Sequence, residues 1–129
     1  MLRRALPLIG VALPLVAGCG GGTSDKSKPA AGPRTRTITV EETEYKVTPS
    51  TRRFPVGHYV FRAVNKGTIP HALEIEGPGS ENETATIQPG GSSDLELNIR
   101  APGKWEFHCP LDGHEKKGMV THFVVTPAK

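Results

Sequence analysis

Toward its C-terminus the chain reads Trp105-Glu106-Phe107-His108-Cys109-Pro110-Leu111-Asp112-Gly113-His114-Glu115-Lys116-Lys117-Gly118-Met119-Val120. Cys109, His114 and Met119 are evenly spaced, with four residues between neighbours. A thiolate, an imidazole and a thioether this close together are soft and borderline donors, which favour copper or zinc over magnesium or calcium. A fourth donor has to come from elsewhere. His71, at the end of Asn65-Lys66-Gly67-Thr68-Ile69-Pro70-His71, stands between two expected strands and is the best placed by position. Alone, Cys109 would read as a buried, inert hydrophobe and Met119 as core filler. In each other's company, and with His114, they read as ligands. His58, His108 and His122 lack matching spacing and are expected to be exposed or half-buried strand residues, His108 on the strand face opposite Cys109.

The elements that must position these donors are strands. Short runs of alternating apolar and polar residues, punctuated by Pro, Gly and Asn, fall at 37–40, 45–47, 58–65, 72–76, 84–87, 93–99, 103–109 and 120–125. The clearest is Asp94-Leu95-Glu96-Leu97-Asn98-Ile99, with Leu95, Leu97 and Ile99 on one face. Gln88-Pro89-Gly90-Gly91-Ser92 before it and Ala101-Pro102-Gly103 after it are turn chemistry. By the same period of two, Trp105 and Phe107 share the Cys109 face and should pack beneath it. The 15 glycines and 12 prolines fit an all-β domain with many turns and speak against a helical bundle. With 129 residues there is room for one core and a tail, which excludes a large multidomain enzyme.

The tail lies at the N-terminus. Arg3 and Arg4 precede an apolar run that ends at Ala17, too short and proline-broken to span a bilayer and suited to a secretory signal. Val16-Ala17-Gly18-Cys19 resembles the bacterial lipobox, in which the cysteine is acylated and becomes the new N-terminus. That resemblance implies a signal peptide over 1–18, lipidation at Cys19 and a localisation outside the cytoplasm, anchored to a bacterial membrane. The Gly- and Pro-rich stretch 19–34 is expected to be a flexible tether, leaving 35–129 as the domain. The net charge is +3, and losing Arg3 and Arg4 leaves about +1, so the basic balance is no nucleic-acid footprint.

Two imidazoles, a thiolate and a weak axial thioether form the donor combination of blue-copper electron-transfer sites. On these residues the sequence resembles the cupredoxins, the plastocyanin/azurin family of small copper proteins. The likeness extends to 57–67 followed by His71, to the turn Gln88-Pro89-Gly90-Gly91-Ser92 and to the loop 109–120, and it covers about residues 35–126. It implies an all-β, Greek-key β-sandwich of about eight strands with one type 1 copper ion at one end. His71, Cys109 and His114 would be the strong ligands and Met119 the weak axial one. It also implies that Pro110, Leu111, Gly113 and Met119 surround an exposed edge of His114 as a small docking patch through which electrons enter and leave. Ala72 departs from the family's pattern, since many relatives carry Asn there; its backbone N–H can still reach the cysteine sulfur, without a side-chain brace for the loop.

The expectation is therefore a membrane-tethered, monomeric carrier of single electrons with transient redox-protein partners and no nucleic-acid partner. Capture and delivery of copper is the alternative, disfavoured because the chain has only two methionines, one of them Met1. No acid/base pair and no open ligand position accompany the donors. A multicopper oxidase would need many paired histidines, and a binuclear copper-A centre two cysteines in one loop. On those counts the chain is expected not to be an enzyme.

Overall fold

Alternation sends every second side chain of a strand to the same face, so two half-apolar sheets can bury their apolar faces against each other. A computed structural model describes residues 34–129 as such a pair. The expected signal peptide, Cys19 and all but the last residue of the tether lie outside the described residues. The strands run in chain order as β1 (Arg36–Thr43), β2 (Lys46–Pro49), β3 (Arg53–Pro55), β4 (Gly57–Asn65), β5 (Glu74–Gly77), β6 (Ser80–Glu83), β7 (Ser92–Ile99), β8 (Gly103–His108) and β9 (Val120–Thr126). One sheet has the order β2-β1-β4-β7 and the other β3-β9-β8-β5-β6. Each is mixed, with β1 parallel to β4 and β3 parallel to β9. This is the all-β Greek-key sandwich that the sequence predicts.

Two expectations about strands are corrected. The segment 84–87 is not a strand; β6 precedes it, paired with β5 across a turn at Pro78 and Gly79. Thr84 leaves the ladder because its hydroxyl accepts from Leu73 N–H at 3.0 Å while its own N–H donates to Leu73 O at 2.9 Å, and Ile87 forms only an isolated bridge with His71. The three-residue β3 has no period to read and contains a proline, which an edge strand tolerates. The described strands therefore number nine rather than about eight.

Ile38, Val40, Phe61, Ile75, Ile99, Phe107, Phe123 and Val125 fill the space between the sheets. Phe107 stacks on Phe123 with centroids 4.1 Å apart, and Phe61 meets Phe107 edge-on at 5.6 Å. Trp105 and Phe107 are buried on the Cys109 face, as the period of two requires. Trp105 also explains a glycine: a Cβ at Gly77 would collide with the indole ring. Because Phe107 touches aromatic rings of both sheets, Phe107→Ala is expected to destabilise the domain by about 3–5 kcal/mol, against less than about 0.5 for Val124→Ala on the surface. Urea denaturation midpoints at unchanged slope would check both.

Candidate metal centre

The strand register brings three donors to one end of the sandwich. Cys109 follows the last residue of β8, which is held between β5 and β9. His71 stands in the β4–β5 connection, fixed by an exchange of hydrogen bonds with Ile87, N–H to O at 3.1 Å and back at 2.7 Å. His114 and Met119 lie in the β8–β9 loop. Here Met119 N–H donates to His114 O at 3.1 Å and Met119 O accepts from Cys109 N–H at 3.1 Å. The sequence-expected set is thus brought together, with Cys109, His71 and Met119 completely buried and His114 6% exposed.

Cys109 Sγ lies 3.4 Å from His114 Nδ1 and 4.0 Å from His71 Nδ1, and the two rings meet at 64° with centroids 5.1 Å apart. A metal holding sulfur at about 2.3 Å and nitrogen at about 2.0 Å, at angles between tetrahedral and trigonal, sets the two donors about 3.5–3.7 Å apart. The observed separations bracket that value, so the residues present fit a copper ion. Burial pushes the Cys109 thiol above its ordinary range, opposed by backbone N–H groups of Ala72 and Leu111; a metal cation would favour the thiolate. Burial also lowers His71, as does the neighbouring His114, and so favours the neutral imidazole that a metal requires.

Three supports were not legible beforehand. His71 Nε2 points away from the sulfur and lies 3.5 Å from Glu44 Oε1. That carboxylate accepts from the N–H groups of Thr68 at 2.6 Å and Ile69 at 3.0 Å, which hold it down to about 2, the Thr68 bond contributing most. A Cβ at Gly67 would strike it. The contact is not aligned as a hydrogen bond, but an anion beside Nε2 favours a proton there and leaves Nδ1 for a metal. Asn65 supplies the loop brace that Ala72 lacks, donating to Ile69 O at 2.8 Å and Ile87 O at 2.9 Å and accepting from Gly67 N–H at 2.9 Å. Ala72 N–H itself donates to Cys109 Sγ at 3.4 Å. Tyr45 covers His114 edge-on, centroids 5.2 Å apart, and receives a hydrogen bond from Lys117 Nζ at 3.1 Å. The expected exposed edge of His114 is therefore corrected: Tyr45 shields the ring, and Met119 is buried instead of lining the surface. Pro110 and Gly113 are exposed and Leu111 is half-buried.

His108 is also corrected. It lies on the face opposite Cys109, as expected, but it is 6% exposed, because Glu74 flanks it across the β5–β8 register and Glu106 from two residues earlier on β8. His58 is half-buried and His122 exposed.

Fold and donor set define a copper protein of the cupredoxin fold. The family described as multicopper oxidase matches residues 25–129, and the chain belongs to that family. Over 45 residues it is 38% identical to the iron multicopper oxidase fer1 of Mycosarcoma maydis, a stretch that is 35% of this chain and 7% of fer1. Across four curated relatives the matched stretches amount to 7–15% of their lengths. Among solved structures, auracyanin B superposes with a TM-score of 0.64 at 18% identity, over 75% of this chain and 92% of that one. Auracyanin A of Chloroflexus aurantiacus, described as a "blue" copper protein, gives 0.56 at 11% identity over 74% and 100%.

Membership of an oxidase family overturns the expectation that the chain is not an enzyme. That expectation rested on the lack of an acid/base pair and of an open ligand position beside the donors, and on counts of histidines and cysteines. A count of this kind tests a whole oxidase, whereas the curated relatives are matched over a small part of their length.

Two outcomes follow from the carboxylates around the site. Glu44→Gln removes the anion facing His71 Nε2 and should weaken copper binding about 10–100-fold, measured by competition with a chelator. Glu42 continues the buried face of Ile38 and Val40, and neither carboxyl oxygen has a partner. Burial pushes its pKa from 4.5 up to about 7. A raised carboxyl favours folding when protonated, so its contribution is intact below about pH 4.5, and about 3 kcal/mol is lost as pH rises through about 7. Glu42→Gln should flatten this decline in denaturation midpoints between pH 4.5 and 8.

Proposed function

We propose that this chain transfers single electrons in an oxidoreductase reaction through one type 1 copper ion held by His71, Cys109, His114 and Met119. The observation that carries the reading is the convergence of one donor atom from each of buried Cys109, His71 and His114 within 4.8 Å of one another, with both Nδ1 atoms within 4.0 Å of the sulfur. Bound copper would supply the one-electron couple between Cu(I) and Cu(II). The chain's own part is to keep the donors still. Glu44 and Asn65 tie down the loop of His71, the Met119 backbone closes the loop of His114, and Phe107 and Tyr45 keep water away. A site that holds its donors in one arrangement rearranges little when the metal changes charge, which favours fast transfer in both directions.

In this reading Cys19 carries the lipid, 1–18 is removed and 19–34 tethers the domain 35–129 to the extracytoplasmic side of a bacterial membrane. The chain works as a monomer with redox proteins as brief partners and no nucleic acid. They dock at Pro110, Leu111 and Gly113 beside His114, a surface without a large apolar patch and so suited to short encounters. The lipobox-like Val16-Ala17-Gly18-Cys19 and the exposure of Pro110 and Gly113 support this arrangement.

Adding one equivalent of copper(II) should produce an intense visible thiolate-to-copper band that ascorbate bleaches and reoxidation restores. No such band would sink the reading, and bleaching without recovery would move it to copper delivery. Met119→Leu should keep the band and raise the reduction potential, because losing the axial electron-pair donor destabilises the more positive Cu(II) more than Cu(I). An unchanged potential would remove Met119 from the axial position.

A further inference from the structure

The outer face of the five-stranded sheet carries a second cluster of donors. On β8, Lys104, Glu106 and His108 alternate with the core residues Trp105 and Phe107. The register sets Glu74 beside His108 and Glu76 beside Glu106 on β5, and His122 beside Glu106 on β9. One strand further, Glu83 stands opposite Glu74 and Glu81 opposite Glu76. Like charges directly opposite one another across a ladder destabilise a sheet, and here two such pairs adjoin. Lys104 lines the shallow cleft together with Glu76, Trp105, Glu106 and His122.

His108 gives this patch its direction. Its side chain is 8% exposed, and Nε2 lies 3.2 Å from Glu74 Oε2. Nδ1 lies 3.3 Å from Glu106 Oε1, yet the contact is not aligned as a hydrogen bond, so this buried nitrogen has no partner. It is aimed into the carboxylates. One donor atom from each of Glu76, Glu106 and His108 lies within 4.8 Å of the others. The second oxygen of Glu106 is 3.5 Å from His122 Nδ1.

We propose that Glu76, Glu106 and His108 form a second metal site, for a borderline divalent cation of the Zn²⁺ and Cu²⁺ class. An imidazole with two carboxylates suits such ions, whereas all-oxygen cages suit magnesium and calcium. Nδ1 of His108 would bind the cation while Nε2–H faces Glu74, the carboxylate–histidine–metal arrangement that fixes the tautomer of a ligating ring. The cation would relieve the carboxylate repulsion across β5 and β8. His108 adjoins Cys109 in sequence, so a charge there also bears on the copper centre. On the copper reading above, an added cation favours the less positive Cu(I) and raises the reduction potential.

The test is a titration of the copper-loaded full chain with Zn²⁺ alone, followed by calorimetry and metal analysis. One equivalent of zinc is expected beyond the copper. Glu106→Gln and Glu76→Gln should each weaken it about tenfold or more, and Glu76 is an exposed position at which loss of binding does not reflect loss of the fold. Zinc should raise the copper potential in the parent chain and not in these variants. Cys109→Ser, which lacks the thiolate, should still take up one zinc, and this readout stands even if the copper reading fails. No zinc in the copper-loaded chain or in Cys109→Ser would overturn the proposal. So would zinc bound with equal strength in both glutamine variants.

Discussion

Cys109 can serve as a donor only because β8 is held in register between two neighbours. Glu74 beside His108 on one side, and Val120 beside His108 on the other, fix where the strand stops and therefore where the next residue's sulfur lies. Everything else at the site is arranged around that sulfur. Ala72 N–H reaches it from the β4–β5 connection, and the Met119 backbone returns to Cys109 N–H. A slip of one residue would turn Cys109 outward and His108 into the core, because side chains alternate with a period of two.

Polar groups are concentrated at this end of a core that is otherwise apolar. His71, Asn65 and Glu42 are all completely buried, and they differ in how they are satisfied. Asn65 uses its amide fully on the backbone of two loops. His71 keeps one nitrogen toward Glu44 and the other toward the sulfur. Glu42 has no partner for either oxygen, and burial keeps it a weak acid. Unpaired buried groups cost stability, and clustering them beside a set of metal donors is the pattern of a site shaped for function more than for folding.

Membership of the multicopper oxidase family and likeness to the auracyanins describe different aspects of this chain. The first is a match to the family over residues 25–129. The second shows the fold, over 100% of the auracyanin A chain. In this chain one sandwich encloses the donor set, which excludes water while leaving Pro110 and Gly113 at the surface.

The sequence by itself determined which residues are candidate donors, the strand character of most segments and the faces of β7 and β8, because ligand chemistry and period-two alternation are local properties. Leu95, Leu97, Trp105 and Phe107 could be assigned to the inner side from their neighbours alone. Short or irregular pairings were not legible: β3 has three residues, and Thr84 leaves its strand for a partner eleven residues away. The support of the site was equally hidden. Glu44 meets the loop at Thr68 and Ile69, Tyr45 meets His114, and Glu74 buries His108, each across a long stretch of chain or a sheet register. Which nitrogen of His71 faces the sulfur, and which side of His114 is covered, were decided only in the folded chain. Hydrogen bonds and burial depend on distances between residues far apart in sequence, and spacing along the chain carries no measure of those.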